Sequence, residues 1–193
     1  MKIAVTHNTD QGQFFIEGER ASNERLPVQH NDRVIGALRK AGHEVEAIEA
    51  DVHVIDRLRS FFDTERNNEW PGIVFNLAYG LQGQARYCHL PSILEMMGIP
   101  YVGSDPLGHA LAYDKLTAKR LFRSLRLATP AFTVYEKNGQ EGQSDEGETS
   151  LLLPDAKHRF VVKPVAEAVS EGLELVSDRE ELNEAVDRDL KEF

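Results

Sequence analysis

The chain has 193 residues, enough for one ordinary domain or for a small domain and part of another. Apolar residues make up 41% and charged residues 28%, as in soluble globular chains, and a net charge of −10 argues against nucleic acid or an acidic membrane as partner. Cys88 is the single cysteine, so no intrachain disulfide forms, and no apolar run reaches the ~18 residues of a membrane span. The start, MKIAVTHNTDQGQ, has no apolar signal-peptide core, so the cytoplasm is the expected setting.

Lys2 to Thr6 (KIAVT) is β-branched and reads as a buried first strand. His7 to Gln29 is polar and rich in Gly, Asn and Glu, which predicts a long loop of the functional or mobile kind. Val34, Ala37, Leu38 and Ala41 recur at helical spacing, and Gly42 stops that helix. His43 to Ala50 reads as a second strand, and Ile55, Leu58 and Phe62 as a short helix. Trp70-Pro71-Gly72 is a turn, and Ile73 to Ala78 is a continuous apolar run of the central parallel type. Pro91 opens a helix to Met97, Gly98 ends it, and Tyr101 to Gly103 is a fourth strand.

Alternating strands and helices predict a doubly wound parallel α/β layer, Rossmann-like in type. Ligands in such sheets sit beyond the carboxyl ends of the strands. Those ends are Thr6-His7-Asn8, Asn76 to Gly80, and Gly103-Ser104.

Leu111 to Leu125 reads as one helix, with Leu111, Ala118, Phe122 and Leu125 in a stripe and Lys115 in the middle of it. A lysine there either snorkels past the helix end or points into a cleft that holds an anion. Ala131 to Tyr135 reads as a strand, and residues 136–150 as a mobile acidic surface loop. Phe160-Val161-Val162 then delivers Lys163-Pro164, a loop with Glu167, Ser170 and Gly172 follows, and Leu173 to Val176 returns. Two readings stay open for this stretch, an ordinary hairpin with a solvated lysine or a phosphate cover in which the lysine supplies charge and the loop supplies N–H donors. Ser177-Asp178-Arg179-Glu180 predicts a capping box for a last helix with Leu182, Ala185, Val186 and Leu190 on one face. That strand–strand–helix piece leaves one apolar face for something else to bury.

Three blocks in this order resemble the D-alanine–D-alanine ligase group of the ATP-grasp superfamily. They are Val74-Phe75-Asn76-Leu77-Ala78-Tyr79-Gly80 with Gln82-Gly83, then LEMMGIPYVGSDPLGHALAYDKLTAKR from Leu94 to Arg120, then FVVKPVAEAVSEG from Phe160. The resemblance implies an N-terminal α/β (pre-ATP-grasp) domain over 1–107 and a partial α+β ATP-grasp lid subdomain over 108–193. It implies Lys115 and Lys163 as contacts to ATP phosphate, Glu167 as the acidic residue opening the lid loop, and Ser170 and Gly172 within that loop, Ser170 also in a catalytic role. Asn76, Tyr79 and Gly80 are implied at the substrate, with Glu24 the nearest carboxylate to the family's amino-acid contact. The implied reaction is ATP-dependent joining of a carboxylate to an amine through an acyl phosphate. Its partners are ATP and small amino-acid-like substrates, a homodimer is compatible, and the Mg2+ ligands are expected beyond residue 193, with no metal site within the chain.

The lid loop departs from the family's Glu-Gly-Ser-Ser-x-Gly pattern. Ala168 stands for a glycine, Val169 for a serine, Glu171 adds a negative charge, and Tyr79 stands where the family has His or Glu. These departures leave the substrate open between D-alanine and another pair. They also leave open a non-catalytic small-molecule-binding or regulatory module, and half of a split ligase completed by a partner. The seven histidines show no zinc-type pair at i, i+4 with a carboxylate, and Cys88, just before a helix start, is either a lowered-pKa thiol or a small buried residue.

Overall fold

The computed structural model describes residues 1–9, 28–63, 70–136 and 159–193. Most of the expected long loop, with Glu24, and nearly all of the acidic loop lie outside the described residues. The chain divides into two compact units, Met1–Tyr113 and Asp114–Phe193.

The first unit is built on four parallel strands, β1 (Lys2–His7), β2 (Glu44–Glu49), β3 (Gly72–Asn76) and β4 (Tyr101–Val102), in the order β2-β1-β3-β4. β1 is central. Ile3 faces Val45 and Ile73, and Thr6 faces Asn76 across the β1–β3 ladder. Helices α1 (Val28–Lys40), α2 (Val54–Phe62), α3 (His89–Met97) and α4 (Pro106–Tyr113) connect or follow the strands.

The period-two alternation of β1 feeds two cores. Ala4, Ile48 and Val74 pack on one face with Leu58 and Phe62 of α2 and Leu90 and Leu94 of α3. Ile3, Val5 and Val45 pack on the other with Ile35 and Leu38 of α1. Both faces are covered at the centre, so β1 and β3 carry the continuous apolar runs Ile3-Ala4-Val5 and Ile73-Val74-Phe75, whereas the edge strand β2 alternates glutamates with Val45 and Ile48. Trp70 closes the edge of the first core, its Nε1 donating to Met97 O at 3.1 Å and its ring edge-on to Phe62. The chain leaves β1 for β2 on one side and returns to β3 on the other. The topological switch point therefore lies between the carboxyl ends of β1 and β3.

The expected Leu111–Leu125 helix is two helices. Asp114 takes an extended backbone (φ −76, ψ 106) and caps α5 (Lys115–Ser124), its carboxylate accepting from Thr117 N–H at 2.6 Å. The aspartate competes for the backbone donor, and that local bond overrides the continuous spacing. No residue of α5 is buried, so Lys115 does not interrupt a buried stripe; it is the first residue of a new helix.

In the second unit, β5 (Phe160–Val162) and β6 (Glu174–Val176) form an antiparallel hairpin in the register Phe160↔Val176, Val161↔Leu175. Phe160, Val162 and Val176 pack on Leu182, Ala185 and Val186 of α6 (Arg179–Glu192), together with Tyr135. The capping box sits one residue later than the sequence suggests. Asp178 caps α6 by accepting from Glu181 N–H at 2.9 Å, and the Glu181 carboxylate accepts from Ser177 N–H at 2.7 Å. Of the strand expected over Ala131–Tyr135, only Tyr135 makes a bridge pairing among the described residues.

Candidate functional site

Asn8, at the carboxyl end of β1, organises the switch point. It is 4% exposed, and its side-chain oxygen accepts from both Tyr79 N–H and Gly80 N–H at 3.0 Å. Its amide donates to Ala50 O at 3.0 Å, and its carbonyl accepts from the Tyr79 hydroxyl at 2.8 Å. Asn76 works beside it, its side-chain oxygen accepting from Thr6 Oγ1 at 3.2 Å and from Ala78 N–H at 2.9 Å. One amide thus ties the ends of β1, β2 and β3 into a shaped edge. The expected substrate residues Asn76, Tyr79 and Gly80 are brought together there. Tyr79 is buried, with its hydroxyl turned to the main chain. Gly80 has φ +83, and a Cβ there would lie 2.2 Å from Arg86 O, so only glycine lets the loop pass.

Beside this edge His7 and Glu49 are register partners, His7 Nδ1 lying 3.2 Å from Glu49 Oε2. Glu49 also accepts from Thr9 N–H at 2.9 Å and from Thr9 Oγ1 at 2.6 Å. Burial pushes the Glu49 carboxyl up, yet the bonds from His7 and Thr9 outweigh it and hold the group at about 2. Cys88, preceding α3, is half-buried and donates to Pro106 O at 3.3 Å; burial pushes its thiol up, the reverse of an activated thiolate.

In the second unit the loop from Lys163 to Leu173 folds back on its base. Glu171 N–H donates to Ala168 O at 3.0 Å and Leu173 N–H to Ser170 O at 3.2 Å. Val169 (φ 48) and Ser170 (φ 64) are both left-handed, the geometry of a mirror-image turn that favours Asn and Gly. Gly172 (φ +66) lies against the Pro164 ring, where a Cβ would come within 2.6 Å. The Lys115 backbone N–H donates to Val165 O at 3.1 Å, and its ammonium donates to Val165 O at 3.3 Å and also to Glu167 O. Lys115 therefore neither snorkels nor stands free; it grips the main chain of the loop that Lys163 opens. Among the implied lid residues, Lys115 and Glu167 are in contact, through the Glu167 carbonyl.

Lys163 continues β5 on the face of Val161, which is exposed and paired with the exposed Leu175. Lys119 received no role from the sequence. It lies one turn beyond Lys115, where an i, i+4 repeat of lysines was the available signal. Burial pushes its ammonium down, and the charges of Lys163 and Arg123 add to that. Among the described residues, no group of three or more His, Cys, Asp or Glu is arranged to hold a metal ion, and no helix is long and apolar enough to cross a membrane.

No protein-family model matches the chain. An uncharacterized protein of Sinorhizobium fredii is 40% identical over 155 residues, 80% of this chain and 43% of that protein. The D-alanine–D-alanine ligase of Anaeromyxobacter dehalogenans is 33% identical over 168 residues, 87% of this chain and 49% of the ligase. The solved D-alanine–D-alanine ligase of Bacillus anthracis matches the structure with a TM-score of 0.68 at 20% identity, covering 99% of this chain and 54% of that one. The chain is similar to D-alanine–D-alanine ligases over most of its own length.

A second structure of the Bacillus anthracis ligase, complexed with ATP, matches with a TM-score of 0.66. The chain spans about half the length of the relatives it matches. Its fold is the α/β one expected, a parallel sheet followed by a smaller piece of strands and helix.

Proposed function

We propose that this chain is the N-terminal α/β domain and the first part of the ATP-binding domain of an ATP-dependent carboxylate–amine ligase. Its substrates are small amino acids of the D-alanine class. The observation that supports it most is Lys115 reaching the loop that Lys163 opens, with exposed Val161 and Leu175 as an apolar platform on the Lys163 face. A lysine beside an apolar strand pair suits a nucleotide, whose base needs a flat apolar contact and whose phosphates need cations.

ATP supplies the phosphoryl group that turns a carboxylate into an acyl phosphate. On this chain, Lys163 and Lys115 neutralise phosphate charge. The 165–172 loop covers it and excludes water. Gly80 and the neighbouring backbone shape the amino-acid side. No described set of carboxylates suits Mg2+. Its ligands would come from the length of the relatives that this chain does not span. A cytoplasmic enzyme that pairs with a second copy is compatible with this reading.

Calorimetric titration of ATP into the protein tests it. Wild type binds, and Lys163→Ala weakens binding about tenfold or more. Equal affinity of the two proteins, or no binding by either, sinks the reading. A second reading, a binding module without catalysis, draws on Val169, Ser170 and Glu171, since a strained, acidic loop suits phosphate poorly. D-alanine binding with no ATP-dependent phosphate release would favour it.

A further inference from the structure

The loop between β5 and β6 is held at both ends. Lys115 donates to the carbonyls of Val165 and Glu167. Gly172 is wedged so closely that a Cβ there would lie 2.6 Å from the Pro164 ring and 2.8 Å from the Phe193 ring. Between these anchors Glu171 N–H donates to Ala168 O and closes a four-residue turn. Its central pair, Val169 and Ser170, has φ 48 and φ 64. Turns of this hand take Gly, Asn or Asp at those positions. A β-branched residue there is a true outlier, because both γ-carbons crowd the backbone.

Burial does not offset this strain. The Val169 side chain is 61% exposed and, among the described residues, packs into none of the three apolar clusters. A strained backbone under an exposed apolar side chain gains from neither packing nor hydration. Strain of this kind persists where the surrounding structure imposes it, and it gathers at sites that meet a ligand.

The chemistry of the turn says which part of a ligand it suits. A phosphate cover works through main-chain N–H donors. Here Glu171 N–H and Leu173 N–H are already used on Ala168 O and Ser170 O, and Glu171 brings a negative charge. Val165 and Leu173, on the flanks of the tip, are exposed as well. The tip therefore presents methyl groups in place of donors. It matches the uncharged, apolar portion of a guest.

We propose that Val169 is a specificity-determining residue that packs on the side chain of the amino-acid substrate, and that this side chain is aliphatic and larger than methyl. The proposal rests on the ligase reading above and narrows its substrate class. The base of the loop, with Lys163, serves phosphate, and the tip serves the substrate side chain. A valine in a turn fixed at both ends has little freedom left to lose on contact.

The probes are D-valine and D-alanine, titrated calorimetrically in the presence of ATP into wild type, Val169→Ser and Val169→Ile. A second measurement follows the Val169 methyl resonances of 13C-valine-labelled protein, identified as those missing from V169S. Wild type is expected to bind D-valine about tenfold more tightly than D-alanine, from the two additional apolar carbons. V169I is expected to keep that preference and V169S to lose it, at a thermal midpoint no lower than wild type. The Val169 methyls are expected to shift with D-valine. A structural role alone would move the midpoint and leave the ratio of the two affinities untouched. Wild type that binds D-alanine as tightly as D-valine, or V169S and V169I that behave alike, overturns the inference and leaves the ligase reading standing. If ATP binds and neither amino acid does, the inference falls and the nucleotide part of that reading stands. If neither ATP nor an amino acid binds, both fall.

Discussion

The Lys115 ammonium donates to the carbonyl of Glu167, a residue 52 positions later, and so fastens the start of α5 to the loop between β5 and β6. Lys115→Met keeps the aliphatic stem and removes the donor. The loop is expected to loosen, with faster amide exchange at Glu171 and Leu173, whose bonds depend on its fold. The site is partly exposed, so the stability loss is about 1 kcal/mol. Exchange rates equal to wild type at both amides would show that the lysine does not hold the loop.

Asn8→Ala leaves Tyr79 N–H, Gly80 N–H and Ala50 O without their partner in a buried setting. The expected cost is about 3 kcal/mol, read from the denaturant midpoint. Asn8→Asp keeps the acceptor for the two N–H groups but sets a second carboxylate oxygen where the amide donated to Ala50 O. It is expected to fall between wild type and the alanine variant.

Gly80→Ala forces a methyl against Arg86 O at a positive φ. A loss of at least about 2 kcal/mol follows. Gly36 has nothing within 4 Å of the same position, so Gly36→Ala in α1 serves as a control expected to be neutral or stabilising.

Two carboxylates give opposite responses to acid. Glu49 is held at about 2 against an ordinary 4.5, so its contribution is complete above pH 4.5 and is lost as pH falls toward 2. It amounts to about 2 kcal/mol after allowance for screening. Asp189 is raised from 3.8 to about 6 by burial first and then by the charges of Glu174 and Glu192, against Arg188. Its ionisation costs stability as pH climbs through that range. Asp189→Asn is therefore expected to stabilise at neutral pH, by about 1 kcal/mol, and to make no difference below pH 3.8. Denaturant midpoints of E49Q and D189N between pH 2 and 8 test both signs.

Val169 and Ser170 stand in left-handed backbone, which a β-branched residue tolerates poorly. Val169→Asn is expected to stabilise by about 1 kcal/mol, since Asn favours that conformation. Unchanged stability would mean that the turn is not held in this form.

Much of the first unit was legible because burial on two faces leaves runs such as Ile3-Ala4-Val5 and Ile73-Val74-Phe75 little alternative to a central strand. The division at Asp114 was not legible from spacing, because a single side-chain bond to Thr117 N–H outcompetes the periodicity. The role of Asn8 was invisible for another reason. Its partners are main-chain atoms 42 and 71 residues away, and the order of residues does not display such bonds. In the second unit the hairpin was readable from its β-branched strands. The grip of Lys115 on two carbonyls was not, since it depends on where a loop passes.

The bonds around Asn8 also bear on how anything docks at the carboxyl end of the sheet. Its donors and acceptor are satisfied inside the protein, by Ala50, Tyr79 and Gly80. The edge is cast before a guest arrives. Affinity there is not spent on freezing a wandering loop, and discrimination among guests falls to rigid shape rather than to adjustment.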